Sequence, residues 1–90
     1  MSNLRLRREG VAWSDLDGEI VILDLDSSAY VAARGTGAFL VELLVEGSSV
    51  DDLVTHVTDT FDISAECART DVTEFVAALN ARNLLEPVRD

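Results

Sequence analysis

Asp17-Gly18-Glu19-Ile20-Val21-Ile22-Leu23-Asp24-Leu25 is the stretch that decides the fold. Asp-Gly before a run of branched apolar residues is a strong hairpin signal, because both residues tolerate the positive φ of a tight two-residue turn. Side chains alternate along a strand, so Val21, Leu23 and Leu25 share one face while Ile20, Ile22 and Asp24 share the other. A strand over Glu19–Leu25 folds back on one over Val11–Trp13. Leu4 and Leu6 alternate with Arg5 and Arg7, which lets the first strand begin that early. Asp26-Ser27-Ser28 supplies a second turn and Ala29–Ala33 a short third strand.

At Gly35-Thr36-Gly37 the period changes from two to that of a helix. Phe39, Leu40, Leu43 and Leu44 form one stripe, which Gly47 ends. Ser49 caps a second helix, with Asp51 and Asp52 in its positive first turn and Leu53, Val54, Val57 and Phe61 on its apolar side. Ser64 caps a third and longest helix, in which Ala68, Val72, Phe75, Val76 and Leu79 recur at three- and four-residue steps. Asn83 suits a left-handed C-terminal position, and Pro87 bars extension. Strands segregated from helices predict an α+β fold, with a three-stranded antiparallel sheet covered on one face by three helices and no fourth strand. Residues 1–90 are read as one domain, since the chain has 90 residues and a second core would not fit.

The composition narrows the function. The chain carries a net charge of −10, with seven arginines, no lysine and 17 acidic residues. Three arginines (Arg5, Arg7, Arg8) crowd the first eight residues, and the acidic residues are spread throughout. A surface that lies along phosphates needs the opposite balance, so neither nucleic acid nor an anionic membrane is expected as a partner. The negative field either keeps a small protein soluble or steers a cationic partner inward. No apolar stretch approaches the roughly 18–20 residues of a membrane span. No apolar segment follows the early arginines, so the N-terminus does not read as a secretory signal and a cytoplasmic location is expected.

Catalytic equipment is sparse. His56 and Cys67 are the single histidine and cysteine, on different predicted helices. A Cys–His pair would need convergence in a cleft, an orienting third group and oxyanion donors. The serines sit at caps and turns, where their hydroxyls serve the backbone. There is no CxxC or HxxxH for zinc. Asp15-Leu16-Asp17-Gly18-Glu19 lacks the spacing of a calcium loop and is better explained as the hairpin turn. Gly35-Thr36-Gly37 has no following lysine and no parallel βαβ setting, so it is not a phosphate loop. Asp71 and Glu74, three apart on one helix, read as a solvated face. No enzyme activity, metal or cofactor is expected.

What remains is an edge. Ala29-Tyr30-Val31-Ala32-Ala33 has no charge, no proline and three alanines, so it lacks the usual protections against pairing with another chain. If the third helix runs beside it, Val72 and Phe75 line a groove with the strand. Edge and groove together suit capture of an extended peptide by strand addition.

The succession Asp17-Gly18-Glu19, Leu23-Asp24-Leu25, Ala29-Tyr30-Val31 and Thr36-Gly37-Ala38-Phe39-Leu40, then Leu43-Leu44 and Gly47, resembles the PqqD-like family of RiPP recognition elements. Ser49-Val50-Asp51-Asp52-Leu53, Phe61-Asp62-Ile63, Asp71-Val72-Thr73-Glu74-Phe75-Val76, Leu79 and Arg82-Asn83-Leu84-Leu85 continue it across the chain. The resemblance implies a winged-helix-like domain that binds the leader of a ribosomally synthesised precursor peptide. The leader adds beside the third strand and packs on the third helix. Peptide-binding residues are then expected at Ala29, Tyr30, Val31, Ala32, Ala33 and Arg34 of the strand. On the helix they are Ala68, Asp71, Val72, Phe75, Val76 and Leu79. A free-standing domain of this kind resembles the recognition half of split lasso-peptide processing, which hands the precursor to a separate leader peptidase and then a cyclase. Leaders there often carry a Tyr-x-x-Pro motif. Where the family often has a larger apolar residue and then Asn, Ala33 and Arg34 stand here; where it often has Gly, Asn83 stands. Two alternatives share the element types: a winged-helix DNA-binding regulator, and a PqqD-type peptide chaperone of another modification pathway.

Overall fold

The computed structural model describes residues 3–88. In chain order the elements are β1 (Leu4–Leu6), β2 (Val11–Leu16), β3 (Glu19–Asp24), β4 (Tyr30–Arg34), α1 (Thr36–Glu46), α2 (Val50–Thr60), α3 (Ala65–Ala81) and β5 (Leu85–Pro87). Asp17 and Gly18 have φ of 60° and 87°, the paired left-handed conformations of a type I′ hairpin turn. That turn sets the β2–β3 register, with Leu16 opposite Glu19 and Val11 opposite Asp24. The second turn is tied by its own side chains. Asp24 accepts from the Asp26 N–H and the Ser27 hydroxyl, and Ser28 takes a left-handed φ of 61°. β4 then returns antiparallel to β3, giving the order β2-β3-β4.

Of the two alternating faces of β3, the core takes Ile20 and Ile22, both fully buried, with Ala33 from β4 beside them. Val21 and Leu23 look the other way, onto an uncovered face shared with Leu16 and Tyr30. α1 covers the inner face, lying against β3 and β4, while α2 packs on α1 and most extensively on α3. The caps form as their residues predict. Ser49 accepts from the Asp52 N–H and Ser64 from the Cys67 N–H, both at 3.1 Å, answering donors that a helix start leaves open. Asn83, at φ 59°, turns the chain out of α3.

Two strands depart from the expectation of three. Leu4–Leu6 does not extend β2 but pairs antiparallel with Leu85–Pro87 in a separate two-stranded sheet. Gly10, at φ 78°, and the bend before it separate β1 from β2. Leu6, Leu84 and Leu85 are buried, so the pairing is held by hydrocarbon as much as by its ladder. Leu4 also exchanges two 2.8 Å backbone hydrogen bonds with Ser48, Arg7 N–H donates to the Leu84 carbonyl, and Arg5 meets Glu86 at 2.6 Å. In this ladder Arg7 pairs toward Leu84 and Val88 toward Asn3. By the antiparallel alternation Pro87 therefore turns its missing N–H outward, which blunts that edge.

The two kinds of contact at this clamp differ in worth. The Arg5 and Glu86 side chains keep about a quarter of their surface in water (23% and 30%), so screening limits their pair to under about 1 kcal/mol. Leu6→Ala removes a buried branched side chain and is expected to lower unfolding free energy by about 2–5 kcal/mol. Urea denaturation of Leu6→Ala and Arg5→Ala checks this. Equal losses would contradict it.

Candidate functional site: an open strand edge beside α3

The β3–β4 register and two turn hydrogen bonds decide which backbone groups of β4 are spoken for. Asp24 N–H donates to the Ala29 carbonyl, and Leu25 N–H to that of Gly10, both at 2.9 Å. Partners in an antiparallel ladder alternate between pairs that exchange both hydrogen bonds and pairs that exchange none. With Ile22 opposite Val31 and Ile20 opposite Ala33, the N–H and C=O of Val31 and Ala33 face β3. Those of Tyr30, Ala32 and Arg34 face away from the sheet. No protein donor or acceptor meets them among the described residues. The same parity turns the side chains of Val31 and Ala33 toward the helices, and those of Tyr30, Ala32 and Arg34 toward the outer face. The Arg34 guanidinium is occupied there by Glu19.

Beside this edge lies α3, which packs chiefly on α2; the space between it and β4, bounded by Phe75 and by a hollow at Arg82, is the candidate groove. Phe75, half-buried, forms one end. An ideal Cβ on Gly37 would lie 3.3 Å from Cε1 of Phe75 and 3.4 Å from the Ala33 Cβ, so the first turn of α1, the end of β4 and the middle of α3 converge there. Glycine permits that approach. At the other end a hollow of about 150 Å³ is lined by Asp24, Ser27, Tyr30, Val31, Arg82 and Leu84. β4 thus runs from Arg82 toward Phe75, opposite in sense to α3.

The structure divides the expected helix residues. Ala68, Val72 and Leu79 are at 0–1% exposure and Val76 is buried, so they are core and do not line the groove; the expectation that Val72 does is corrected. A chain of this size cannot leave half of its longest helix's apolar stripe unpacked. Phase about the helix explains the division. The buried four cluster on one arc, and Phe75 lies at its margin, toward β4. Asp71, Ala78 and Arg82 share Phe75's phase at i−4, i+3 and i+7, and all three are exposed. Arg82, Leu84 and Gly37 escape a search for apolar stripes. The spacing 71, 75, 78, 82 is the signal that finds Arg82. On the strand, Tyr30 is 67% exposed and Ala33 buried, as the alternation requires. Ala29 precedes β4 and gives its carbonyl to Asp24.

Other surfaces fit a ligand less well. A concavity of about 460 Å³ is lined by Glu66, Arg69, Thr70, Thr73 and Glu74. It follows the polar back of α3, where Asp51 holds Arg69 at 2.9 Å. His56 and Cys67 are both exposed, on α2 and at the start of α3. Among the described residues no group of three or more His, Cys, Asp or Glu gathers as a metal site, and no helix is long and apolar enough to cross a membrane.

Fold and edge together define the class: a three-stranded antiparallel sheet followed by three helices, of which α1 covers its inner face, with the β4 edge left open beside the last helix. The chain belongs to the PqqD family, described as coenzyme PQQ synthesis protein D, whose pattern matches residues 19–85. It is similar to the solved structure "TbiB1 in Complex with the TbiA(beta) Leader Peptide", at 24% identity and a TM-score of 0.84, covering 96% of this chain and 99% of that one. At that identity the likeness is one of fold. A second structure, "Lasso peptide synthetase B1 complexed with the leader peptide", is 26% identical with a TM-score of 0.81, covering 93% of this chain and 98% of that one. No curated protein matches the sequence.

The parity of β4 has a direct readout in the free protein. Amide hydrogen exchange followed by NMR is expected to show fast exchange at Tyr30, Ala32 and Arg34 and protection at Val31 and Ala33. Protection at Ala32 in the absence of peptide would contradict the open edge.

Proposed function

We propose that the chain binds the leader region of a ribosomally synthesised precursor peptide of the lasso type, by strand addition at β4 and packing on α3. It does no chemistry itself and presents the precursor, in the cytoplasm, to a separate leader peptidase and then to a cyclase. The observation that carries this is the unanswered row of Tyr30, Ala32 and Arg34 beside the Phe75 groove. PqqD membership and the likeness to a lasso synthetase B1 structure solved with a leader peptide support it. The groove offers amides, hydrocarbon and a guanidinium, which bind and orient a peptide but hold no nucleophile or acid–base pair.

Magnitudes say what such a site must contain. Three residues with one N–H and one C=O each offer six groups, at about 0.5–1.5 kcal/mol net per hydrogen bond. Ordering some five peptide residues costs about 1–2 kcal/mol each. Main-chain pairing therefore roughly breaks even, and it fixes direction and register more than affinity. Affinity comes from one or two anchors in the groove. A total of about −8 to −11 kcal/mol, between micromolar and 10 nM, fits a groove of this size.

Charge weighs against reading nucleic acid with α3. Its exposed surface carries Glu66, Asp71 and Glu74, Arg69 is already held by Asp51, and Arg82 stands at its C-terminal cap against those three carboxylates. A phosphate-binding helix presents free cations.

Calorimetry with a synthetic Tyr-x-x-Pro leader peptide tests the proposal. Ala32→Pro deletes an N–H that points away from β3, so the sheet stays intact while one hydrogen bond to the bound peptide is lost and a ring blocks the edge. Binding is expected to fall at least about tenfold, or about 1.4 kcal/mol. Phe75→Ala is expected to weaken it by about 2–4 kcal/mol. Circular dichroism establishes that each variant is folded. Folded variants that bind as tightly as the parent would refute strand addition here.

A further inference from the structure

Arg82 is the cationic residue that lines the hollow, and none of the described residues answers its charge. Arg5, Arg34 and Arg69 each hold a carboxylate. The Arg82 side chain makes no hydrogen bond or ion pair among the described residues. The carboxylate that lines the hollow with it, Asp24, is engaged by its own turn. One Asp24 oxygen accepts from the Asp26 N–H at 3.1 Å and the other from the Ser27 hydroxyl at 3.0 Å. Arg7 adds to the positive character of this corner, donating from Nη1 to the Asn83 carbonyl at 2.9 Å. The end of α3 favours a cation at this point, which accounts for an arginine but not for its place over an apolar hollow.

We propose that this hollow is a second subsite of the peptide groove, and that Arg82 selects a carboxylate side chain of the captured peptide. The proposal rests on strand addition at β4. A peptide antiparallel to β4 runs from Arg34 toward Tyr30, and its residues opposite Ala33 and Val31 turn their side chains to α3. The first meets Phe75. The second, two residues later, enters the hollow between Val31 and Leu84. A carboxylate on or just beyond that second residue comes under Arg82, whose guanidinium can give it a charge-assisted hydrogen bond. Specificity in this groove is therefore polar at one end and apolar at the other. It reads the direction of the peptide as well as its composition.

The test uses the full chain and synthetic Tyr-x-x-Pro peptides in which one Glu is walked through every variable position, against the same series carrying Gln or Lys. Binding is read by fluorescence anisotropy. One position is expected to favour Glu over Gln by about three- to tenfold. That preference should vanish in Arg82→Gln and turn to Lys in Arg82→Glu. Arg69→Gln, on the polar back of the helix, should leave it unchanged. Because Arg82 is exposed, neither substitution threatens the core, and circular dichroism confirms the fold. A Glu preference that survives in Arg82→Gln, or no preference at any position, overturns the subsite while leaving capture at β4 standing. If no peptide binds the parent chain, capture itself falls and the subsite with it.

Discussion

Half of the backbone of β4 is answered and half is not, and the rest of the site follows from that asymmetry. Backbone N–H and C=O groups are obligatory hydrogen-bonding partners. Once Ile20 and Ile22 are committed to the core, the pairing of β3 with β4 is fixed in register, because a slip of one residue would exchange the buried and open faces of the strand. Register then determines parity. Val31 and Ala33 bond to β3, while Tyr30, Ala32 and Arg34 present their groups to whatever lies beyond. The hydrophobic choice between two faces of a six-residue strand thus sets which three residues of its neighbour are free to pair.

The other edges differ from β4 in what they offer a visiting strand. On β5, Pro87 removes a donor from the outward row, and β1 meets Ser48 across two backbone hydrogen bonds. On β2, the outward row of Val11, Trp13 and Asp15 also lacks partners among the described residues, but it carries the charge of Asp15. β4 carries small side chains, its arginine is tied back to Glu19, and it has Phe75 and a hollow alongside. Of the two open edges of the main sheet, β4 is the one that has Phe75 and the Arg82 hollow alongside.

Much of this was legible in the sequence. Asp17-Gly18, the three caps at Ser49, Ser64 and Asn83, and the switch of period after Gly35 are local signals, and local signals located the sheet and all three helices. Two things were out of their reach. The pairing of Leu4–Leu6 with Leu85–Pro87 joins segments some eighty positions apart in the chain. Nothing in either tripeptide names the other. Burial on α3 was also hidden, because the apolar stripe of a helix states which residues avoid water but not which of them meet the core and which meet a groove. Val72 and Phe75 look alike in the sequence and differ only once α2 is in place. Arg82 was passed over for the opposite reason: its type suggests solvent, and only its helical phase links it to Phe75.

The central claim is that a peptide completes the β4 ladder. The most direct measurement is an NMR titration of the isotopically labelled chain with an unlabelled Tyr-x-x-Pro leader peptide, followed by filtered nuclear Overhauser spectra. Strand addition predicts that the amides of Tyr30, Ala32 and Arg34 show the largest shifts of the sheet, and that cross-strand contacts link them to backbone protons of the peptide in an antiparallel pattern. Shifts that gather instead on β2, or on the polar back of α3 around Arg69 and Thr73, would contradict it.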